Sequence, residues 1–282
     1  MSAFSEFSFP FNDLDDAEFN LEIYEMLNGP IRFHADRLST LSFNPFLQNT
    51  RSNLVRSFDL DPDINLIDSY NDSEYFIEDQ FNDMLSNEGR RIRDGSFSLL
   101  HLNIRSLQRN ASKLTDLLSS LDFKFSLIGI SETWLNDAIP SVDIDGYRFV
   151  HKNRENRCGG GVGLYVSNNF NFKFRNDLDF SVPNVAESLF IEIFMPQGKN
   201  IVAGVIYRPP NQNVDEFLSM NNELLSKISK ENKICYLMGD FNLNLMNHHC
   251  HSITGEFLDA LYSNMFFPLI TRPTRITSHS GT

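Results

Sequence analysis

From Ser96 to Thr282 the sequence alternates strand-length apolar runs with segments of helical period. The helical segments place apolar residues three and four positions apart, and they span residues 110–122, 214–230 and 254–265. The strand-length runs are 96–103, 125–133, 159–166, 188–195, 200–210 and 233–242. Strands mixed with amphipathic helices bury their apolar faces by packing in layers. We therefore expect a layered α/β domain over residues 96–282.

Residues 1–95 differ from this domain in charge and in pattern. They contain 19 acidic and 7 basic side chains, a net charge of −12, whereas residues 96–282 carry a net charge of only −1. Neither the helical nor the strand period is sustained in this first third. We interpret residues 1–95 as an acidic, mostly disordered leader with short helices around 17–27 and 73–86. It acts either as a linker or as a segment that docks a partner.

Composition excludes several classes of protein. No apolar run approaches the ~20 residues that span a bilayer, and the start "MSAFSEFSFPFNDLDD" lacks the basic and apolar parts of a signal peptide. Three cysteines at unrelated spacings argue against a disulfide framework. The net charge of −13 argues against nonspecific nucleic-acid binding by the chain as a whole. We expect an intracellular protein.

Polar side chains capable of chemistry follow four of the predicted strands. These residues are Asn103, Glu132, Tyr207, and the pair Asp240 and Asn242. In layered α/β sheets, ligands collect where the carboxyl ends of strands converge. Because strand side chains alternate, Asp240 and Asn242 should share one face and Phe241 should point to the opposite layer.

These residue types suit a hard divalent cation. Carboxylates and an amide oxygen match Mg²⁺, with Mn²⁺ as a substitute, whereas Zn²⁺ would call for Cys or His at metal spacing. Such an ion with a Tyr hydroxyl can orient a phosphodiester. Any one of these residues alone is more typical of a helix N-cap or a turn than of a functional site. Their joint order along the chain favours the functional interpretation.

Five motifs carry a resemblance to a known family. "LHLNIRSL", "LIGISETWL", "GGGVGLYV", "VIYRPPN" and "YLMGDFNLNL" follow one another between residues 100 and 245. They resemble the motifs of the endonuclease/exonuclease/phosphatase superfamily, and in particular the endonuclease domain of non-LTR (LINE-type) retrotransposon polyproteins. The resemblance implies a four-layer α/β sandwich and a Mg²⁺-dependent phosphodiesterase that nicks DNA in the nucleus. The freed 3′-hydroxyl then primes a downstream reverse transcriptase domain.

The resemblance also implies a role for each motif residue. Glu132 would be the principal metal ligand, with Asn103 orienting a polar group beside the metal. Tyr207 would contact the scissile phosphate. Asp240 would position or deprotonate the attacking water, and Asn242 would hold the phosphate.

One departure from the family qualifies this expectation. The family continues into a "LID"-type strand and an "SDH" motif, and this sequence ends at "TRPTRITSHSGT" without them. We therefore expect a fragment that lacks its last strands and has weak or no nicking activity. The alternatives are a catalytically dead protein that binds DNA or a protein partner, and a phosphatase of the same fold acting on a lipid or inositol phosphate.

Other features have simpler interpretations. Arg208, Arg272 and Arg275 are candidate contacts to a DNA backbone, although the last two are equally compatible with solvated surface. "HHCH" (248–251) is expected to be a solvent-facing loop, since four adjacent residues cannot wrap one tetrahedral ion. "GGGVG" is expected to be a tight turn, with close backbone approach to DNA as the alternative. Trp134 is expected to pack in the core.

Overall fold

The computed structural model describes residues 6–7, 20–25, 76–87, 97–121, 123–154, 159–210, 213–245, 251–270 and 274. They form two β-sheets and four α-helices. Within these described residues, no helix has the length and apolarity needed to cross a membrane.

The first sheet has six strands in the order β1-β2-β3-β4-β6-β5. The strands are β1 (Glu6–Phe7), β2 (Asn20–Glu25), β3 (Ser98–Asn103), β4 (Leu127–Ser131), β5 (Tyr147–Lys152) and β6 (Val162–Ser167). β3 and β4 are parallel, and the other neighbours are antiparallel. β3, β4 and β6 are buried along their whole length, which explains their unbroken apolar character.

The second sheet has four strands in the order β10-β9-β8-β7. The strands are β7 (Asn171–Phe174), β8 (Glu187–Phe194), β9 (Ile201–Tyr207) and β10 (Ile234–Asp240). β9 and β10 are parallel, and β7, β8 and β9 are antiparallel neighbours. Among the described residues β10 pairs with β9 alone, so it is an edge strand of this sheet.

The two sheets pack face to face, and helices cover their outer faces. The helices are α1 (Glu78–Asn87), α2 (Ala111–Ser120), α3 (Val214–Lys230) and α4 (Ser252–Ser263). Phe81 of α1 and Leu114 of α2 pack on the first sheet. Phe217 of α3 and Phe257 of α4 pack on the second. The result is the predicted four-layer α/β sandwich, with a third apolar core between the sheets.

Local signals explain the boundaries of the longest helix. Asn213 precedes α3, and its side chain accepts a hydrogen bond from the Glu216 backbone N–H at 3.3 Å. Asp215 and Glu216 lie in the first turn, and Lys227 and Lys230 lie in the last. Acidic groups at the start and basic groups at the end of a helix interact favourably with its dipole.

The predicted strands and helices of residues 96–282 are all present, with two additions. β5 and β7 were not predicted, because they are edge strands with several exposed positions and lack a long apolar run.

The helix expected around 17–27 is wrong where the structure describes it, since residues 20–25 form a strand paired with β3. The alternation of Leu21 and Ile23 with polar neighbours is the signal for it. The helix expected around 73–86 is present as α1, and the domain boundary at 95/96 stays a prediction.

Candidate active site

The core between the two sheets ends in polar residues at one edge of the sandwich. Leu99 of β3 and Met238 of β10 belong to this core. Strand alternation then brings Asn103 and Asp240, at the ends of the same two strands, to the same side. The site therefore lies where the carboxyl ends of β3, β4, β9 and β10 converge.

Asn103 joins the two carboxylates of the site. Its Nδ2 donates to Glu132 Oε1 at 2.9 Å and to Asp240 Oδ2 at 2.7 Å. The residue is only 7% exposed, and its Oδ1 is buried without a hydrogen-bond partner among the described residues. Glu132 and Asp240, which follow strands of different sheets, thus bind the same buried amide nitrogen. The oxygen of this amide remains without a hydrogen-bond partner among the described residues.

The backbone around Glu132 has an unusual conformation. Glu132 and Trp134 both have left-handed φ values, +56° and +52°, which are uncommon for residues other than glycine. The Trp134 N–H donates to Gly160 O at 2.8 Å, so the glycine turn of residues 159–161 holds this segment in place. Strained residues of this kind persist where the surrounding structure fixes them, and they cluster at functional sites.

Trp134 lies outside the core, so the sequence-based expectation for it is wrong. Its side chain is 40% exposed, and its Nε1–H donates to Glu132 Oε2 at 3.1 Å. Thr133 and Leu135 are buried on either side of it. The left-handed turn directs these two neighbours inward and leaves the indole at the surface, beside the carboxylate.

Tyr207 is buried near the two carboxylates of the site. Its phenol is 4% exposed. Burial raises the pKa of Tyr207 well above its usual value, and the negative charges of Glu132 and Asp240 raise it further. Tyr207 therefore keeps its proton, while Asn103 and Trp134 donate to the two oxygens of the Glu132 carboxylate.

A cation above Tyr207 was not predicted from the sequence. The Arg154 guanidinium carbon lies 5.6 Å from the centre of the Tyr207 ring. Arg154 is paired with Glu187, which also accepts a hydrogen bond from the Gly161 backbone N–H. Nη2 of Arg154 is buried without a hydrogen-bond partner among the described residues. Glu187, the acid at the first position of β8, was the sequence signal for this group.

The loop after β10 fixes Asp240 and Asn242. The strand ends at Asp240 and Asn242 has a φ of +48°, so the alternation expected to put both on one face does not extend to Asn242. Instead the Asn242 N–H donates to Asp240 Oδ1 at 2.9 Å, and its Nδ2 donates to Arg208 O at 2.7 Å. Phe241 packs against Phe217 and Phe257, which confirms that it points to the opposite layer.

Arg208 is buried rather than presented to solvent. It is 3% exposed, and its guanidinium donates to Phe241 O and Asn242 O, both at 2.6 Å. Burial lowers the pKa of Arg208, an effect that the nearby Asp240 carboxylate opposes. In this position Arg208 fastens the loop that carries Asn242, and a contact to DNA through it stays a prediction. Arg272 and Arg275 lie outside the described residues.

The remaining candidates are the "HHCH" segment and the glycine turn. His248, His249 and Cys250 lie outside the described residues, and His251 directly precedes α4. Glycines 159, 160 and 161 all have positive φ, as a tight turn before a strand requires.

The donor set fits a hard divalent cation. Among the described residues no group of three or more His, Cys, Asp and Glu side chains could hold a metal ion, which argues against a closed zinc centre there. Mg²⁺ needs less, because it binds through one or two carboxylates and keeps waters and substrate phosphate oxygens. Glu132, Asp240 and the unpartnered Oδ1 of Asn103 provide that combination.

Solved structures with a similar chain trace include the endonuclease domain of TRAS1, a telomere-specific non-LTR retrotransposon. The two sequences are 14% identical, the match covers 65% of this chain and 80% of that chain, and the TM-score is 0.44. The 3′ phosphatase NExo from Neisseria, bound to a product DNA hairpin, is 13% identical over 57% and 68% (TM-score 0.38). The human Nocturnin catalytic domain is 17% identical over 52% and 62% (TM-score 0.35).

No curated protein matches the sequence. Residues 100–282 match the model of the Endonuclease/Exonuclease/phosphatase family. This match spans well over half of the chain, and the chain therefore belongs to the endonuclease/exonuclease/phosphatase family.

Proposed function

We propose that this protein is a divalent-metal-dependent phosphodiesterase that nicks DNA. Membership of the family supports phosphoester hydrolysis as the class of reaction. The observation that carries the proposal is the buried amide of Asn103, which holds Glu132 and Asp240 together at 2.9 and 2.7 Å. Two carboxylates so close together are unfavourable unless a cation or a proton offsets their charge.

In this proposal Glu132 and Asn103 hold the cation. The side-chain oxygen of Asn103, Oδ1, has no hydrogen-bond partner among the described residues, and the Glu132 carboxylate is already oriented by its two donors, Asn103 and Trp134. A bound Mg²⁺ or Mn²⁺ supplies positive charge that stabilises a pentavalent phosphate and its leaving oxygen.

Asp240 is the proposed base for the attacking water. One of its oxygens accepts from Asn103 and the other from the Asn242 N–H. Both bonds stabilise the charged carboxylate and fix its direction. A carboxylate held in this way can orient a water molecule and accept its proton as the water attacks phosphorus.

Tyr207 and Asn242 are the proposed contacts to the phosphate. The raised pKa of Tyr207 keeps its hydroxyl neutral, so it can donate a hydrogen bond to a phosphate oxygen. Asn242 is exposed at the mouth of the site, and its left-handed backbone brings it back toward Asp240.

DNA as the substrate rests on the resemblance of five motifs to the endonuclease domain of LINE-type retrotransposons. In such an element, a nick with a free 3′-hydroxyl would prime a reverse transcriptase domain.

A supercoiled plasmid tests the proposal. We expect the protein to convert it to the open circular form with Mg²⁺ or Mn²⁺, and not with EDTA. Glu132→Gln should abolish the reaction, whereas Glu223→Gln, on the exposed side of α3, should leave it unchanged.

Two outcomes would replace the proposal with an alternative. Retention of DNA in a gel shift, with no nicking under any metal condition, would favour a DNA-binding protein without catalysis. Release of inorganic phosphate from an inositol or lipid phosphate, with no change in the plasmid, would favour a phosphatase of the same fold.

A further inference from the structure

The exposed indole of Trp134 is placed unusually for the only tryptophan of the chain. It is 40% exposed, yet it is anchored at its nitrogen to Glu132 Oε2 and at its backbone N–H to Gly160 O. It is one of seven large hydrophobic side chains exposed among the described residues. Of these seven, it is the one that is hydrogen-bonded to a carboxylate of the active site.

The anchoring fixes the ring as well as exposing it. The Nε1 bond uses one edge of the indole, and 40% of the side chain stays exposed. Gly159 lies beside the ring, where even a Cβ atom would come within 3.6 Å of Nε1. A glycine there adds no side chain that would cover the indole. The result is a flat aromatic surface at a set distance from Glu132.

We propose that the exposed face of Trp134 stacks on a nucleobase next to the scissile phosphate. This inference rests on the proposed function, because the ring lies beside the carboxylate that would hold the metal. Every base has a π-face, so stacking on an aromatic side chain tolerates different sequences. The ring makes nucleic acid, rather than a lipid or inositol phosphate, the substrate class of the site.

The substrate would present an unpaired base. In a regular duplex each base is stacked on both sides, so it can reach a protein ring only after leaving the stack. Single-stranded DNA, or a duplex with a bulged or flipped nucleotide, fulfils this condition. We therefore expect the site to prefer distorted or single-stranded DNA over regular duplex.

Intrinsic fluorescence tests the stacking directly, since all tryptophan emission comes from Trp134. The protein is titrated in Ca²⁺ with a mixed-sequence single strand, and separately with a strand of the same length built from abasic residues. Stacking predicts strong quenching by the base-bearing strand and little by the abasic strand. Equal quenching by the two strands would overturn the proposal.

Two variants separate the ring face from its N–H group. Trp134→Phe keeps an aromatic face and loses the bond to Glu132, whereas Trp134→Leu loses both. By anisotropy of labelled strands, Trp134→Leu should weaken binding of the base-bearing strand by roughly tenfold or more without changing binding of the abasic strand. Trp134→Phe should bind the base-bearing strand nearly as the parent does. Unchanged binding by Trp134→Leu would contradict stacking.

Failure of this inference and failure of the proposed function give different results. Base-dependent quenching without plasmid nicking would keep the stacking surface and refute the nuclease. Plasmid nicking with equal quenching by both strands would keep the nuclease and refute the stacking. A blue shift of Trp134 emission with anionic phospholipid vesicles, and no response to either strand, would overturn the inference in favour of a lipid surface.

Discussion

Asn103 and Asp240 are 137 positions apart in the sequence, and the Nδ2 of the first donates to Oδ2 of the second at 2.7 Å. Asn103 ends a strand of the six-stranded sheet, and Asp240 ends a strand of the four-stranded sheet. The hydrogen bond therefore ties the two halves of the sandwich together at the candidate site. It also sets the separation of the two acids that would serve the metal and the water.

Replacing the central amide by an acid should make the site dependent on a cation. Asn103→Asp places a third carboxylate between Glu132 and Asp240, and like charges repel one another at this distance. In EDTA at neutral pH we expect the free energy of unfolding to fall by about 1–3 kcal/mol. Added Ca²⁺ or Mg²⁺ should restore most of the loss, as chemical denaturation with and without metal would report.

Asn168→Asp is the matched control, because Asn168 is exposed. It should show little loss of stability and no restoration by metal. A loss at Asn103→Asp that is the same with and without divalent cations would contradict a metal site at this position.

Gly239 is required by the close approach of β9. Its φ is +150°, and a Cβ atom there would lie 1.8 Å from Ile206 O. We expect Gly239→Ala to destabilise the protein by more than about 3 kcal/mol and to displace Asp240. Gly198 also has a positive φ but has open space around it, so Gly198→Ala should cost only about 1–2 kcal/mol. Thermal unfolding of both variants checks the contrast, and equal losses would contradict it.

Arg208 should behave as a structural residue rather than as a contact to DNA. Arg208→Met leaves the carbonyls of Phe241 and Asn242 without their buried donors, which should cost about 2–4 kcal/mol. Arg109→Met, at an exposed position, should cost little. Loss of one phosphate contact would reduce the steepness of log binding constant against log salt by about one. We expect no such change for Arg208→Met. A lower slope with unchanged stability would establish a DNA contact instead.

The buried carboxylate of Glu192 should make stability depend on acid pH. Burial opposes its charged form, but hydrogen bonds from Asn200, Lys233 and Lys173 outweigh burial and lower the pKa of Glu192 from 4.5 to about 2. Its contribution to stability is therefore complete above about pH 4.5 and is lost as the pH falls toward 2. The difference in unfolding free energy between the parent and Glu192→Gln should shrink across that window.

Urea denaturation between neutral pH and pH 2.5 measures this difference. Glu223→Gln, on an exposed helix surface, should match the parent at every pH. A difference at Glu192 that stays constant or grows on acidification would contradict the depressed pKa.

The strands and the acids at their ends could be predicted from the sequence, because apolar period and strand length are local properties. The ends of these strands meet at one edge of the sandwich. They accordingly bring together the predicted residues Asn103, Glu132, Tyr207 and Asp240. The exposure of Trp134 could not be predicted, because it depends on left-handed φ values at non-glycine residues.

Long-range partners were equally hidden from the sequence. Arg154 lies over Tyr207 because it pairs with Glu187, the first residue of β8. The glycine turn of residues 159–161 also contacts Glu187, through the backbone N–H of Gly161. Arg208 stands beside Tyr207 in the sequence but turns away to bond the backbone of the next loop. Adjacency in the chain therefore revealed neither the backbone contacts of Arg208 nor the presence of Arg154 at the site.

In the proposed function Glu132 and Asn103 together hold a divalent cation. Electron paramagnetic resonance of free Mn²⁺ measures this directly, since bound Mn²⁺ leaves the free signal. We predict that the protein binds Mn²⁺, that Mg²⁺ displaces it, and that Glu132→Gln weakens binding by more than the roughly tenfold cost of losing a neighbouring hydrogen-bond partner. A free Mn²⁺ signal that the protein does not reduce, or that Glu132→Gln reduces equally, would contradict the account.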